Sequence, residues 1–115
     1  MIDLVSPSPR HVYVLGGHVR TDAMALAQRA LESGGEIVLI AVGYPLSRQQ
    51  QRLVETTVAL VGRMHVDLDA ILVASTDELG PHIQRGDHIE VLASGLERRR
   101  LSRAVDRAVG PLRGR

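Results

Sequence analysis

The sequence predicts one α/β domain, an α+β sandwich in the order β-α-β-α-β-β with a further C-terminal helix. Three observations point to that class. Two apolar runs, Val12–Leu15 and Glu36–Val42, each lead through a glycine-bearing turn into a stretch with helical spacing. Two later apolar runs, Ala70–Ala74 and His88–Ala93, have the length of strands and are separated by turn formers. The chain has 115 residues, enough for one core and not for two.

Residues 1–10 hold Pro7 and Pro9 without a periodic pattern and read as an extended lead-in. The first helix should start at Thr21 or Asp22, either of which can cap it, and end at Ser33-Gly34-Gly35. Ala23, Leu26, Ala27, Ala30 and Leu31 fall on one face of it. Glu36–Val42 is almost continuously apolar, as a strand buried on both faces or at the sheet centre would be. Pro45 and Ser47 mark the second helix start. Leu46, Leu53, Val54, Thr57, Val58, Val61 and Met64 give that helix an apolar face, interrupted by Gln49-Gln50-Gln51. Ser75–Asp87 contains Gly80-Pro81 and Arg85-Gly86-Asp87, so the third and fourth strands read as a long hairpin with a polar tip. Gly95 then breaks the chain, and Leu101, Ala104, Val105, Ala108 and Leu112 stripe a last helix that Gly110-Pro111 should stop. The expected layout is a lead-in at 1–10, a body at 11–95, and an arginine-rich helix and tail at 96–115.

Composition removes several function classes. The chain has no cysteine, which excludes disulfides, thiolate metal sites and a cysteine nucleophile. No apolar run approaches a membrane span and no signal pattern opens the sequence, so the expected address is cytoplasmic. Phe and Trp are absent, leaving an aliphatic core. Net charge is only +1, but all 14 cations are arginine and seven of them fall in residues 98–115. Arginine offers forked donors suited to phosphate, although a lysine-free chain is equally what a GC-rich genome would encode.

The two strand–turn–helix units bring two sets of helix N-terminal N–H groups to one sheet edge. Such an edge attracts anions, because those donors lack partners and the helix dipoles favour negative charge. The turns are Leu15-Gly16-Gly17-His18-Val19-Arg20-Thr21-Asp22 and Ala41-Val42-Gly43-Tyr44-Pro45-Leu46-Ser47-Arg48. Together with Glu36-Ile37 and the element lengths between them, these residues resemble the Alba family of nucleic-acid-binding chromatin proteins over roughly residues 9–95. Ala41, Gly43 and Ser47 match the family's run at that place. Val42 and Tyr44 stand where the family has basic residues, and Gly17, His18 and Val19 replace its lysines and proline.

The resemblance implies a non-enzymatic dimer that coats double-stranded DNA, and RNA, with little sequence preference in a chromosome-associated, nucleoid setting. The dimer would be a homodimer or a pair with a related Alba-like chain. The residues expected to meet nucleic acid are Gly17, His18, Arg20, Tyr44, Arg48, Arg52, His82 and Arg85. Arg20 and Arg48 carry the sharpest argument, since a cation at a helix start opposes the dipole unless an anion is bound. Arg52 lies one turn beyond Arg48, or alternatively pairs with Glu55. His82 and Arg85 occupy the expected hairpin tip, an arm that in the family reaches along the minor groove. No cofactor, metal or catalytic residue is expected. His65, Asp67 and Asp69, and likewise His82 with His88, lack metal-ligand spacing.

Two other readings keep their place. One retains the fold and makes the chain an RNA-binding subunit of a ribonuclease P-like assembly. The other is a small nucleotide- or phosphate-binding protein using the Gly16–Asp22 turn. A dinucleotide fingerprint is incomplete there, because the third glycine is missing.

Overall fold

A computed structural model of the chain describes residues 10–64 and 67–113, with the side chains of Leu112 and Arg113 left out. Strands β1 (Arg10–Leu15), β2 (Glu36–Val42), β3 (Leu68–Val73) and β4 (His88–Leu92) form one sheet in the order β3-β2-β1-β4. Every neighbouring pair is parallel. Helices α1 (Ala23–Ser33) and α2 (Arg48–Gly62) are the crossovers out of β1 and β2, and α3 (Gly95–Arg113) follows β4. Asp22 caps α1 by accepting the Ala25 N–H, and α1 gives way to Gly34 as the sequence requires.

Alternation along the strands sorts the core into two layers. Tyr13, Leu15, Ile37, Leu39 and Ala41 pack against Leu26, Ala27, Ala30, Leu53, Val54 and Val61 of α1 and α2. Val12, Val14, Val38, Ile40, Val42 and Val73 face the other way, onto Leu79, Ile83, Leu101, Ala104 and Val105. A parallel sheet must be covered on both faces, and here the second cover comes from α3 and the segment between β3 and β4. The fold is a three-layer α/β/α sandwich.

That segment corrects the expected hairpin. β4 does not pair with β3 at all; it pairs in parallel with β1, on the far side of the sheet. Residues 75–87 are a crossover containing two 3-10 turns, Thr76–Glu78 and Gly80–His82. Leu79 is fully buried and Ile83 nearly so, both against the sheet. Arg10 pins the far end of the crossover, donating to Asp87 at 2.8 Å and to the His82 carbonyl at 3.2 Å. Gly80-Pro81 and Arg85-Gly86-Asp87 do turn the chain, but within a connection rather than at an exposed tip. The nucleic-acid arm expected to carry His82 and Arg85 is therefore not formed.

Smaller corrections follow from the same packing. α3 runs through Gly110-Pro111 to Arg113; a proline that close to a helix end removes few hydrogen bonds. Leu31, Val58 and Met64 are exposed rather than core, because α1 and α2 meet the sheet over a narrower stripe and α2 ends before Met64. Of the lead-in expected at 1–10, Arg10 belongs instead to β1, where it pairs beside Glu36; residues 1–9, 65–66 (His65 among them) and 114–115 lie outside the described residues. Among the described residues no helix is long and apolar enough to cross a membrane.

Candidate functional site at the carboxyl edge of the sheet

Four parallel strands deliver their C-terminal ends, and the N-termini of α1, α2 and α3, to one edge. Strand order also reverses there: the chain grows from β1 to β2 and β3 on one side, then returns to place β4 on the other. In open parallel sheets the crevice outside the strand ends at such a reversal is where ligands sit.

Polar side chains from α2 stitch this edge together. Gln50, 1% exposed, donates from Nε2 to the Val42 carbonyl at 2.8 Å and to the Leu15 carbonyl at 3.1 Å. Its Oε1 accepts the Ser47 N–H at 2.8 Å, while Ser47 Oγ accepts the Gln50 N–H, so the two residues form a reciprocal cap. Ser47 Oγ also donates to the Gly17 carbonyl at 2.7 Å. Gln49 accepts the Val19 N–H and donates back to the Val19 carbonyl. The three glutamines that interrupt the apolar face of α2 thus include two that fix the first turn to the second. The Ser47-x-x-Gln50 spacing is the available signal, being a capping-box pattern.

The glycine turn already holds an anion of its own. Gly95, at φ 63°, swings the chain from β4 into α3 and sets Glu97 over the end of β1. The Gly17 N–H donates to both Glu97 carboxylate oxygens at 2.9 Å. A Cβ on Gly16 would lie 2.7 Å from both the Ala93 Cβ and Glu97 Oε1, so the first glycine is needed for this approach. The Gly17 N–H, expected to meet a ligand phosphate, is occupied by Glu97. No local motif announces Glu97, which lies eighty residues downstream of Gly17.

The arginines on the α1–α2 side converge. Arg20, Arg48 and Arg52 line a single groove of about 720 Å³ with Thr21, Asp22 and Thr56 on its rim and Val19, Met24 and Leu53 as apolar wall. Among the described residues none of the three forms an ion pair, and the alternative Arg52–Glu55 pairing is not made. His18 is exposed at the same edge, as is Tyr44 at 88%, in the β2–α2 turn. His82 and Arg85 are not brought here; they lie at the opposite, amino edge, where Arg10 bridges to Asp87. On α3, Arg98, Arg99, Arg100, Arg103 and Arg107 are exposed and carry no ion pair among the described residues, leaving Asp106 unpaired with Arg103. No family model, curated protein or solved structure matches this chain.

Proposed function

We propose that the chain binds a phosphate-bearing small ligand, of nucleotide or sugar-phosphate class, at the carboxyl edge of its sheet. The observation that carries this reading is the convergence of Arg20, Arg48 and Arg52 on one groove at the starts of two helices. Three guanidinium groups without an ion pair among the described residues repel one another, and Arg20 and Arg48 oppose the dipoles of the helix starts beside which they lie; a bound dianion reverses both penalties. The groove's apolar wall suits the non-phosphate part of such a ligand, and its volume falls in the usual small-molecule range.

Titration with nucleoside monophosphates, sugar phosphates and inorganic phosphate tests the proposal, read by calorimetry and thermal shift. A ligand at 100 times its dissociation constant raises apparent stability by about 2.7 kcal/mol. Arg48→Glu should weaken binding at least tenfold, by removing a charge-assisted bond and adding repulsion. Arg63→Glu makes the same charge change at the other end of α2 and should leave affinity within about twofold. Arg29 is a poorer control, since its hydrogen bond to Glu90 raises its pKa and ties it to β4. Equal losses at positions 48 and 63 would place the ligand elsewhere.

A second reading rests on Arg98, Arg99, Arg100, Arg103 and Arg107 of α3, which are exposed and carry no ion pair among the described residues. They favour a phosphodiester backbone, the partner implied by the Alba resemblance, with the chain acting as a dimer that coats duplex DNA or RNA. Each phosphate neutralised contributes about −0.9 to the slope of log K against log salt, so four to eight contacts per dimer give a slope on the order of −4 to −7. A shallow slope with random duplex, beside tight binding of a monophosphate, leaves the small-ligand reading standing.

A further inference from the structure

The arginine groove has a neighbour across a narrow ridge. Val19, Arg20 and Thr21 line the groove of about 720 Å³ on one side and a cleft of about 350 Å³ on the other. The far wall of that cleft is the end of β4 with Ser94 and Arg98. The ridge is held in place: Val19 is buried, and Gln49 accepts its N–H at 3.0 Å and donates back to its carbonyl. Arg20 follows directly and is exposed, so a fixed backbone sets its side chain on the boundary of two hollows.

The two hollows differ in wall and agree in charge. Val19, Met24 and Leu53 give the groove an apolar side, whereas Thr21, Ser94 and the Arg29–Glu90 pair make the cleft polar. Arg29 and Glu90 neutralise each other there, which leaves Arg20 and Arg98 as the uncompensated charges of the cleft. Neither forms an ion pair among the described residues. Two like charges on one cleft repel, and an anion between them replaces that repulsion with charge-assisted hydrogen bonds. A phosphate among Arg20, Arg48 and Arg52 does not meet this need, because Arg98 does not line the groove and Arg48 and Arg52 do not line the cleft. Arg20 can serve both hollows, since a guanidinium carries five N–H donors in a fork.

We propose that the cleft is a second phosphate subsite and that the ligand is a bisphosphate. One phosphate lies among Arg20, Arg48 and Arg52, and the other lies between Arg20 and Arg98 with the Thr21 and Ser94 hydroxyls as neutral donors. This deepens the phosphate-ligand reading and rests on it. The shared arginine limits the ligand's body: two phosphates on either side of one residue suit attachment to a single sugar ring, not to the ends of a long linker. The apolar side of the groove takes whatever base or ring the sugar carries.

The test measures, by calorimetry on the full chain, adenosine 3′,5′-bisphosphate against adenosine 5′-monophosphate and ribose 1,5-bisphosphate against ribose 5-phosphate. In at least one pair wild type should prefer the bisphosphate by about 10- to 100-fold, the range of a hydrogen bond to a charged group. Arg98→Ala should shrink that preference to a few fold and leave monophosphate affinity within about twofold, with folding checked by circular dichroism. Arg99→Ala removes the same charge one residue along, from a side chain that lines neither hollow, and should keep the preference. Equal binding of mono- and bisphosphates by wild type overturns the proposal while leaving the phosphate reading intact. So does a preference that survives Arg98→Ala, or one that Arg99→Ala abolishes as well, which would reduce it to overall charge. A loss at Arg98 that falls equally on both ligand classes also overturns it, by making Arg98 part of the first phosphate's site. If no phosphate ester binds wild type, both readings fall.

Discussion

Gln50→Leu should lower stability by about 4 kcal/mol, because it strips three bonds from a buried position and each orphaned group costs about 1–3 kcal/mol. For a domain of this size that is a fall in melting temperature on the order of 15 °C. Leucine nearly preserves the volume, so the loss isolates hydrogen bonding from packing. Gln50→Glu should do no better, since a carboxylate would face the Leu15 and Val42 carbonyls without a proton to give. Thermal and urea denaturation read both changes. An effect within about 0.5 kcal/mol, as for an ordinary surface glutamine, would mean that the edge is not stitched as described.

The second large effect tests the topology itself. Leu79→Ala should cost about 3 kcal/mol, the usual range for emptying a fully buried leucine site. In a solvated hairpin tip the same change would cost less than about 0.5 kcal/mol. Urea unfolding therefore separates a parallel crossover from the hairpin that the turn formers suggest. The comparison is sharpest with Leu72→Ala on the exposed side of β3, where little apolar burial is lost.

Element boundaries were legible because local rules set them. Asp22 and Ser47 cap the helices, Gly34 ends α1, and the unbroken apolar run of β2 marks a strand covered on both sides. That last feature already argued against an open hairpin, since only layers on both faces can cover such a strand. Leu79 and Ile83, two apolar residues in an otherwise polar connection, were the other sign. Strand order was not legible: Gly80-Pro81 and Arg85-Gly86-Asp87 fit a hairpin and a crossover equally, and pairing of β4 with β1 is decided by tertiary packing. At the site, Arg20, Arg48 and Arg52 could be read from their places near helix starts. His82 and Arg85 went to the wrong edge because they were placed on an arm that does not exist. Glu97 was hidden, as its partner Gly17 is remote in sequence and the acid itself looks like one of two solvated charges in an arginine-rich helix.

Synthesis from the N-terminus gives the order β3-β2-β1-β4 a temporal side. β1 is made before β2 and finds it early, but its other flank waits for His88–Leu92. Until then the sheet has an open edge at β1, with Val12 and Val14 uncovered on the face that α3 later closes. An edge of that kind is a template for pairing with another nascent chain. The same late segment, residues 88–105, pairs the free flank of β1, covers Val12 and Val14 and brings Glu97 to the carboxyl edge, so β3 and β4 become the edge strands of the finished sheet.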